Sequence, residues 1–488
     1  MSRSRWVPAL VAAVSAACAV GPSYHQPEIA PAGAAVGLSA RPDSIREFYD
    51  SLASADSATA VPRTLETDSA DLAWLAILKD TTLVSLVNQA VRENRDVQTA
   101  VARIREFRAE LGISRSALFP EIFANASAST NQVAVGAFEP VAFDALRVTA
   151  DLQWELDFWG RIRRGVQASR ADLQGEEAAY RSTVLTLVSD VSNAYLSLLE
   201  LGQEESIAER TLASRRATLT LARERFESGV ISELDVHQFE SEVAVPAAAL
   251  AQARRLRSQQ EHQLATLVGR MPFRIPAAGR LADVIEAVQV PDSLPATLLA
   301  RRPDVREAER AFAAAVARVG VAQASRLPTI SITGNYGTQS GTADDLFTGN
   351  TEIYALQAGV SIPLFTGGRL ANEARAAGAR AEQARLQFEQ TVLQAFREAS
   401  DALVAVRTAR EQRVAQQSQV VALRKAAALA DIRYRGGVAS YLEVLDAQRQ
   451  LFSAELGLSQ TQLLEMSSVV GLYRALGGSW AAQGKRAE

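Results

Sequence analysis

The sharpest periodicity in the chain lies between residues 148 and 158. Val148, Ala150, Leu152, Trp154, Leu156 and Phe158 alternate with Thr149, Asp151, Gln153, Glu155 and Asp157. A period of two predicts a β-strand with one apolar and one polar face. A second copy follows at an offset of 208, where Leu356, Ala358, Val360, Ile362 and Leu364 alternate with Gln357, Gly359 and Ser361. A partner strand starts at Ile122, and a loop holding Gly136 and Pro140 reverses the chain. About ten residues is the length of a tilted strand across a bilayer. A soluble sandwich strand alternates in the same way, but two strands per repeat make little of a soluble sheet.

Elsewhere the period becomes helical. Val184, Val188, Val191, Tyr195 and Leu198 are spaced four, three, four, three, and Val392, Phe396, Ala399, Leu403 and Val406 keep that spacing at the same offset. This is a coiled-coil seam. No proline falls between Gly160 and Phe226 or between Gly368 and Tyr434. Two helices of roughly 67 residues are expected, each about 100 Å long at 1.5 Å per residue. A return helix is expected from Glu233 to Val268, with Pro246 kinking it or removing a hydrogen bond. A first helix is expected from Leu83 to Leu118, ending before Pro120. Stacked end to end, the first and return helices would span about 108 Å, which matches the long helix beside them.

The offset also governs the punctuation. Asp96-Val97 recurs as Asp304-Val305, Gly112 as Gly320, and Pro120-Glu121-Ile122 as Pro328-Thr329-Ile330. Gly160-Arg161 recurs as Gly368-Arg369, and Gly229-Val230-Ile231-Ser232 as Gly437-Val438-Ala439-Ser440. An offset without drift implies elements whose lengths are fixed by geometry. The expected organisation is a leader over 1–17, an extended arm over 18–82 with a flexible insert between 31 and 70, a first repeat over 83–290 and a second over 291–488.

Charge and composition then exclude functions. The net charge of -4 over 488 residues, without a dense basic cluster, gives no case for a nucleic-acid partner. After the leader no run of eighteen apolar residues occurs, so no transmembrane helix is expected and a membrane crossing has to use strands. Backbone groups in lipid must be paired, so those strands must close into a barrel. Four strands cannot close around a lumen. Two copies would give eight strands and three would give twelve, and the pattern leaves both open. In such a barrel Asp151, Glu155 and Asp157 face the lumen, while Val148, Leu152 and Trp154 face lipid. Arg161 and Arg163 are read as interfacial charge. His25, His237 and His262 form no ligand set with carboxylates, so no metal, cofactor or catalytic site is expected.

At the N-terminus, Arg3 and Arg5 precede an apolar run from Val7 to Val14 and the small residues Ser15-Ala16-Ala17. Cys18, the single cysteine, then resembles a bacterial lipoprotein acceptor for acyl chains such as palmitate, with Ala19 compatible with sorting to the outer membrane. Ordinary cleavage nearby is the other reading. Loss of residues 1–17 removes two arginines and takes the charge from -4 to -6.

Several motifs resemble the outer-membrane efflux protein family, the TolC-like outer-membrane factors, in their lipoprotein branch. They are Leu299-Ala300-Arg301-Arg302-Pro303-Asp304-Val305-Arg306 with Ala308-Glu309 and Gly320-Val321-Ala322. Leu156-Asp157-Phe158-Trp159-Gly160-Arg161, Pro363-Leu364-Phe365-Thr366-Gly367-Gly368-Arg369, and Leu445-Asp446-Ala447-Gln448 after Gly437-Val438 join them. The chain departs from the family at Trp74, a single tryptophan in place of a pair, and at Asp80-Thr81 in place of Asp-Pro. The resemblance implies an α+β membrane protein: a homotrimer with a twelve-stranded transmembrane β-barrel, four strands per chain, continued by a periplasmic helical barrel. It implies a lipid-anchored, outer-membrane export duct for drugs, dyes or metal ions. A resistance-nodulation-division pump of the inner membrane would drive export through a periplasmic adaptor (membrane fusion) protein.

It also implies that the two helix–helix turns are the working ends. Ser228, Gly229, Val230, Gly436, Gly437 and Val438 are candidates for adaptor contact. Asp235, Glu443 and Asp446 are candidates for the acidic constriction. A basic residue that holds the pore shut in the family is replaced by Ala439, which leaves Arg433, Tyr434 and Arg435 as candidate locks. The competing functional class is a structural or adhesive coiled-coil lipoprotein of the envelope, which needs the helices but not the amphipathic strands. An enzyme is disfavoured by the lack of a site.

Overall fold

The computed structural model describes residues 20–22, 24, 35–36, 80–133, 141–275, 281–286 and 294–478. Cys18, the leader and most of the expected insert lie outside these residues. The chain divides into two compact units, and each draws on both halves of the sequence. One comprises Met1–Pro27, Ala102–Glu177 and Glu307–Gln390; the other comprises Glu28–Val101, Ala178–Arg306 and Thr391–Glu488.

The helices are α1 (Thr81–Glu93), α2 (Arg95–Ser116), α3 (Arg161–Glu227), α4 (Glu233–Leu267), α5 (Leu281–Glu286), α6 (Pro303–Ala324), α7 (Arg369–Arg435) and α8 (Tyr441–Ala475). The strands are β1 (Ala35–Val36), β2 (Glu121–Val133), β3 (Val141–Leu156), β4 (Leu294–Pro295), β5 (Thr329–Ser340) and β6 (Glu352–Ser361). α3 and α7 each have 67 residues, and α4 and α8 each have 35.

In the first unit, β2, β3, β5 and β6 form an antiparallel sheet in that order. Its register sorts the side chains by polarity. One row reads Ile122, Leu152, Gly334, Leu356; the next reads Ala124, Ala150, Tyr336, Tyr354; another reads Leu156, Ile330, Val360. The opposite face carries Glu121, Gln153, Thr333 and Gln357, then Asp151 and Asn335. No described residue covers the apolar face: Tyr354 is 83% exposed, Leu356 76% and Val360 71%. Among the described residues β2 and β6 each pair on one side only, so the sheet has two open edges.

The strands end earlier than the alternation does. β3 stops at Leu156 and β6 at Ser361, so Phe158, Ile362 and Leu364 lie beyond them. Asp157 is therefore not on the polar face of the sheet. It accepts from the backbone N–H of Ile162 at 2.9 Å and of Arg163 at 2.8 Å, and pairs with the Arg163 guanidinium at 3.1 Å. A carboxylate at a helix start satisfies donors that have no intrahelical partner. Arg161 is likewise held, by Glu155 at 2.7 Å. The described part of the arm docks in this unit, where Val20 N–H donates to Trp159 O at 3.0 Å and the Tyr24 ring meets Phe312 edge-on at 5.3 Å.

In the second unit the expected first helix is two helices. Asn94 leaves the helical region with ψ 136°. Its Oδ1 accepts from Asp96 N–H at 2.8 Å and Val97 N–H at 3.3 Å, which starts α2. Its Nδ2 donates to Leu267 O at 3.0 Å, at the end of α4. The corresponding residue 208 positions on, Arg302, donates to Ala475 O at 2.8 Å, at the end of α8. Gly269 and Gly477 follow these helix ends with φ +80° and +74°. A Cβ on Gly269 would stand 2.4 Å from Glu93 O, and one on Gly477 would stand 2.8 Å from Arg302 Cα. Only glycine permits both the backbone turn and the approach. Asp80-Thr81 starts α1 without a proline: Asp80 accepts from Thr82 N–H and Leu83 N–H, and from the Tyr195 hydroxyl at 2.8 Å. Ala35–Val36, inside the expected insert, pair with β4.

α3 contains an 18-residue window with mean hydropathy 1.2, apolar enough by composition to cross a membrane, but 67% of it is buried within the protein. Val188, Val191, Tyr195 and Leu198 of the seam are all 1% exposed or less. Further along, Ile207, Ala208 and Leu212 of α3 pack with Leu250 of α4 and Phe452 of α8. Charged residues flank this core with inverted polarity in the two halves. Glu205 of α3 pairs with Arg257 of α4 at 2.8 Å, whereas at the same two positions 208 further on Arg413 of α7 pairs with Glu465 of α8 at 2.5 Å.

Glu465 is 2% exposed and also holds Arg410 at 3.2 Å. Replacing Arg410 and Arg413 with alanine strands a buried carboxylate and should destabilise the protein by about 3 kcal/mol. The thermal midpoint in detergent should fall. Adding Glu465→Gln should recover most of the loss, and failure to recover would show that the charge itself is not the cause.

Candidate functional site at the helix–helix turns

The two turns are built alike. After α3, Gly229 N–H donates to Phe226 O at 2.8 Å and Val230 N–H to Arg225 O at 2.8 Å. After α7, Gly437 N–H donates to Tyr434 O at 3.1 Å and Val438 N–H to Arg433 O at 3.0 Å. These are Schellman closures, and the glycines sit at φ +72° and +73°. Ser228 Oγ caps Glu224 O, and Gly436 N–H donates to Ile432 O. Apolar side chains are left outward at both turns. Val230 and Leu234 at the first turn match Val438 and Leu442 at the second, and all four are exposed.

The acidic candidates are engaged locally. Asp235 forms a reciprocal capping box with Ser232 at the start of α4. Glu443 pairs with Arg433 across the second turn at 3.4 Å. Asp446 accepts from Gln450 at 2.7 Å. Among the basic and aromatic candidates, Arg435 pairs with Asp431 at 3.0 Å, one turn back on its own helix. Tyr434 lies under the Arg225 guanidinium at 4.7 Å and 5.6 Å from the Tyr441 ring. It therefore joins α3, α7 and α8, which the other candidates do not.

A stronger tie between the helices escaped the sequence reading. Pro246 is buried inside α4, which continues through it from Glu233 to Leu267. Proline has no N–H, so the carbonyl four residues back, that of Glu242, loses its helical donor. Arg215 of α3 supplies one, from Nη1 to Glu242 O at 2.9 Å, and the same nitrogen pairs with the Glu242 carboxylate. Arg449 of α8 donates from Nε to Glu242 Oε1 at 2.7 Å. Phe239 of α4 stacks on Tyr441 of α8 at 3.7 Å. Arg215 and Glu242 are 4% and 2% exposed. Burial lowers the Arg215 pKa, while the hydrogen bond to Glu242 raises that of Arg449, which lies nearer solvent. Burial, with Glu242 beside it, holds the Tyr441 hydroxyl well above its ordinary value. The signal was present in the sequence: Glu242 falls on the buried stripe Phe239, Pro246, Leu250, Ala253 of α4, where a carboxylate requires a partner.

A groove of about 710 Å³ runs between α3, α7 and α8, lined by Arg210, Thr218, Arg424, Asp431, Tyr434 and Glu455 among others. Its charges are matched: Glu455 takes Arg424 at 2.6 Å and Arg210 at 3.7 Å. Among the described residues no three His, Cys, Asp or Glu side chains are grouped to hold a metal ion. The turns carry exposed apolar side chains and ties between helices. They show no nucleophile paired with a base.

Both halves of the chain are similar to known proteins. The family described as outer membrane efflux protein matches twice, over residues 86–270 and 294–478. The toluene efflux pump outer membrane protein TtgC of Pseudomonas putida is 34% identical over 427 residues, covering 86% of this chain and 88% of that one. The solvent efflux pump outer membrane protein SrpC of Pseudomonas putida is 32% identical over 488 residues, covering 95% and 96%. The solved structure of the outer-membrane channel OprN superposes with a TM-score of 0.83 at 31% identity, covering 95% of this chain and all of that one. The chain belongs to the outer membrane efflux protein family.

Proposed function

We propose that this outer-membrane efflux channel works as a passive duct in which three copies share one barrel. The observation that carries the reading is the four-stranded sheet with two open edges and a bare apolar face. In lipid an open edge leaves backbone groups unpaired, so β6 of one copy has to meet β2 of the next. Three copies close twelve strands, whereas an eight-stranded barrel from two copies would be filled by its own side chains. The bilayer then covers the Tyr336, Tyr354 and Leu356 face, and Asp151, Gln153 and Glu155 line the lumen. Cys18 carries acyl chains that anchor the mature chain beside the barrel.

The duct has no energy source of its own. An inner-membrane pump of the resistance-nodulation-division class drives it, joined through a periplasmic adaptor that grips the turns. Val230, Leu234, Val438 and Leu442 support that docking because apolar side chains exposed at the turns favour a partner. The toluene and solvent relatives favour small apolar toxic compounds as cargo. Glu443 and Asp446, repeated around a threefold axis, form the narrow acidic ring, and Asp235 holds its turn rigid. The tie from Arg215 through Glu242 to Arg449 keeps the return helices together while the pore is closed, and Arg433 and Arg435 act beside it in place of a lock at 439. An envelope rod would have no use for a sheet sorted by polarity.

Three measurements test this reading. Detergent-extracted protein should have the mass of a trimer, and a stable water-soluble monomer would refute it. In a planar bilayer the purified channel should conduct little and prefer cations. Glu443→Ala with Asp446→Ala should weaken that preference and cation block, while Glu242→Gln should raise conductance several-fold by freeing α8; unchanged currents in both would place the constriction elsewhere. Cys18→Ala should abolish labelling by a fatty-acid probe while the trimer still assembles, and persistent labelling would move the acyl site.

A further inference from the structure

The seam between α3 and α8 joins the long helix of one half of the sequence to the return helix of the other. Most of it is apolar, but it changes character near residue 200. Glu200 of α3 is 4% exposed and Ser459 of α8 is fully buried. Glu200 Oε1 and Ser459 Oγ are buried and neither makes a well-formed hydrogen bond, although Ser459 is close enough to act on the Glu200 carboxyl. Around them the seam is polar: Gln203 Nε2 donates to Gln462 Oε1 at 3.0 Å, and Gln460 Nε2 to Glu204 Oε1 at 3.1 Å. A carboxylate in this setting has too few donors to be ionised without penalty.

The surrounding charges do not relieve it. Arg254 and Arg257 of α4 are taken by Glu205 and Glu209, Arg410 and Arg413 of α7 by Glu465, and Glu455 of α8 by Arg210 and Arg424. The charged group that acts on Glu200 is Glu204, one helical turn away. Burial first, then the Glu204 charge, push the Glu200 carboxyl up to about 8, with Ser459 drawing it part of the way back.

We propose that Glu200 is a proton-binding site that sets how firmly α3 is held to α8. The proton comes from solvent and forms an O–H bond on the carboxyl group. That hydroxyl supplies the missing donor, with Ser459 Oγ or the Glu204 carboxylate as acceptor. When it is lost, two carboxylates face one another across a turn in a buried seam, and the seam loosens. The unfolded chain titrates near 4.5. Between that value and the raised folded one, folding takes up a proton, so stability falls as pH rises and the contribution is gone above the folded value.

The test uses the full-length protein in detergent and does not depend on export. A protonated carboxylic acid gives a carbonyl infrared band distinct from carboxylate. The band assigned to Glu200 should be present near about pH 6, vanish by about pH 10, and be missing throughout in Glu200→Gln. Over the same rise the melting temperature of the natural protein should fall more steeply than that of Glu200→Gln. Glu204→Gln, which removes the repelling charge, should move loss of the band to lower pH. An identical band in Glu200→Gln, parallel melting profiles, or an unmoved band in Glu204→Gln would each overturn the proposal.

Discussion

Backbone groups removed from water must find partners, and this requirement organises most of the protein. At the sheet it is met along three strand pairings and left open at β2 and β6, which makes the single chain an incomplete object. At the break between α1 and α2 it is met by one asparagine that closes one helix, opens the next and caps a third. Inside α4 it is met by an arginine from a neighbouring helix, because Pro246 cannot donate. These side chains stand where the chain departs from a regular ladder.

The turns show the same economy in a different currency. Asp235, Asp446 and Arg435 stiffen the local backbone or a single helical turn, and Arg433 with Glu443 joins α7 to α8 across the second turn. Three helices are tied at the turn by Tyr434 with Arg225 and Tyr441, and further along by Glu242 with Arg215 and Arg449. The exposed valines and leucines at the turns thus stand on backbone closed by its own hydrogen bonds.

The long elements were legible because their signals are redundant. A period of two over Val148–Leu156, a heptad seam at 184–198, and glycine punctuation at a constant offset all point to the same elements. Their ends were less legible. Alternation ran on through Asp157 and Phe158 because a helix-starting carboxylate and an aromatic happen to continue the pattern. The break at Asn94 was hidden because asparagine is tolerated inside helices, and its role depends on Leu267, far away in sequence. The turns were found from glycine alone. The Arg215–Glu242–Arg449 tie was not, since its members come from three helices and have no counterpart in the other half: Arg215 corresponds to Leu423 and Glu242 to Gln450.

The inverted pair, Glu205 with Arg257 against Arg413 with Glu465, has a consequence for assembly. Two near-equivalent hairpins in one chain, several copies of which meet at a membrane, could exchange return helices. With uniform polarity every such exchange would be electrostatically neutral. Here α8 in the place of α4 would set Glu465 against Glu205, and α4 in the place of α8 would set Arg257 against Arg413. Each hairpin thus carries a polarity key that disfavours the other's return helix.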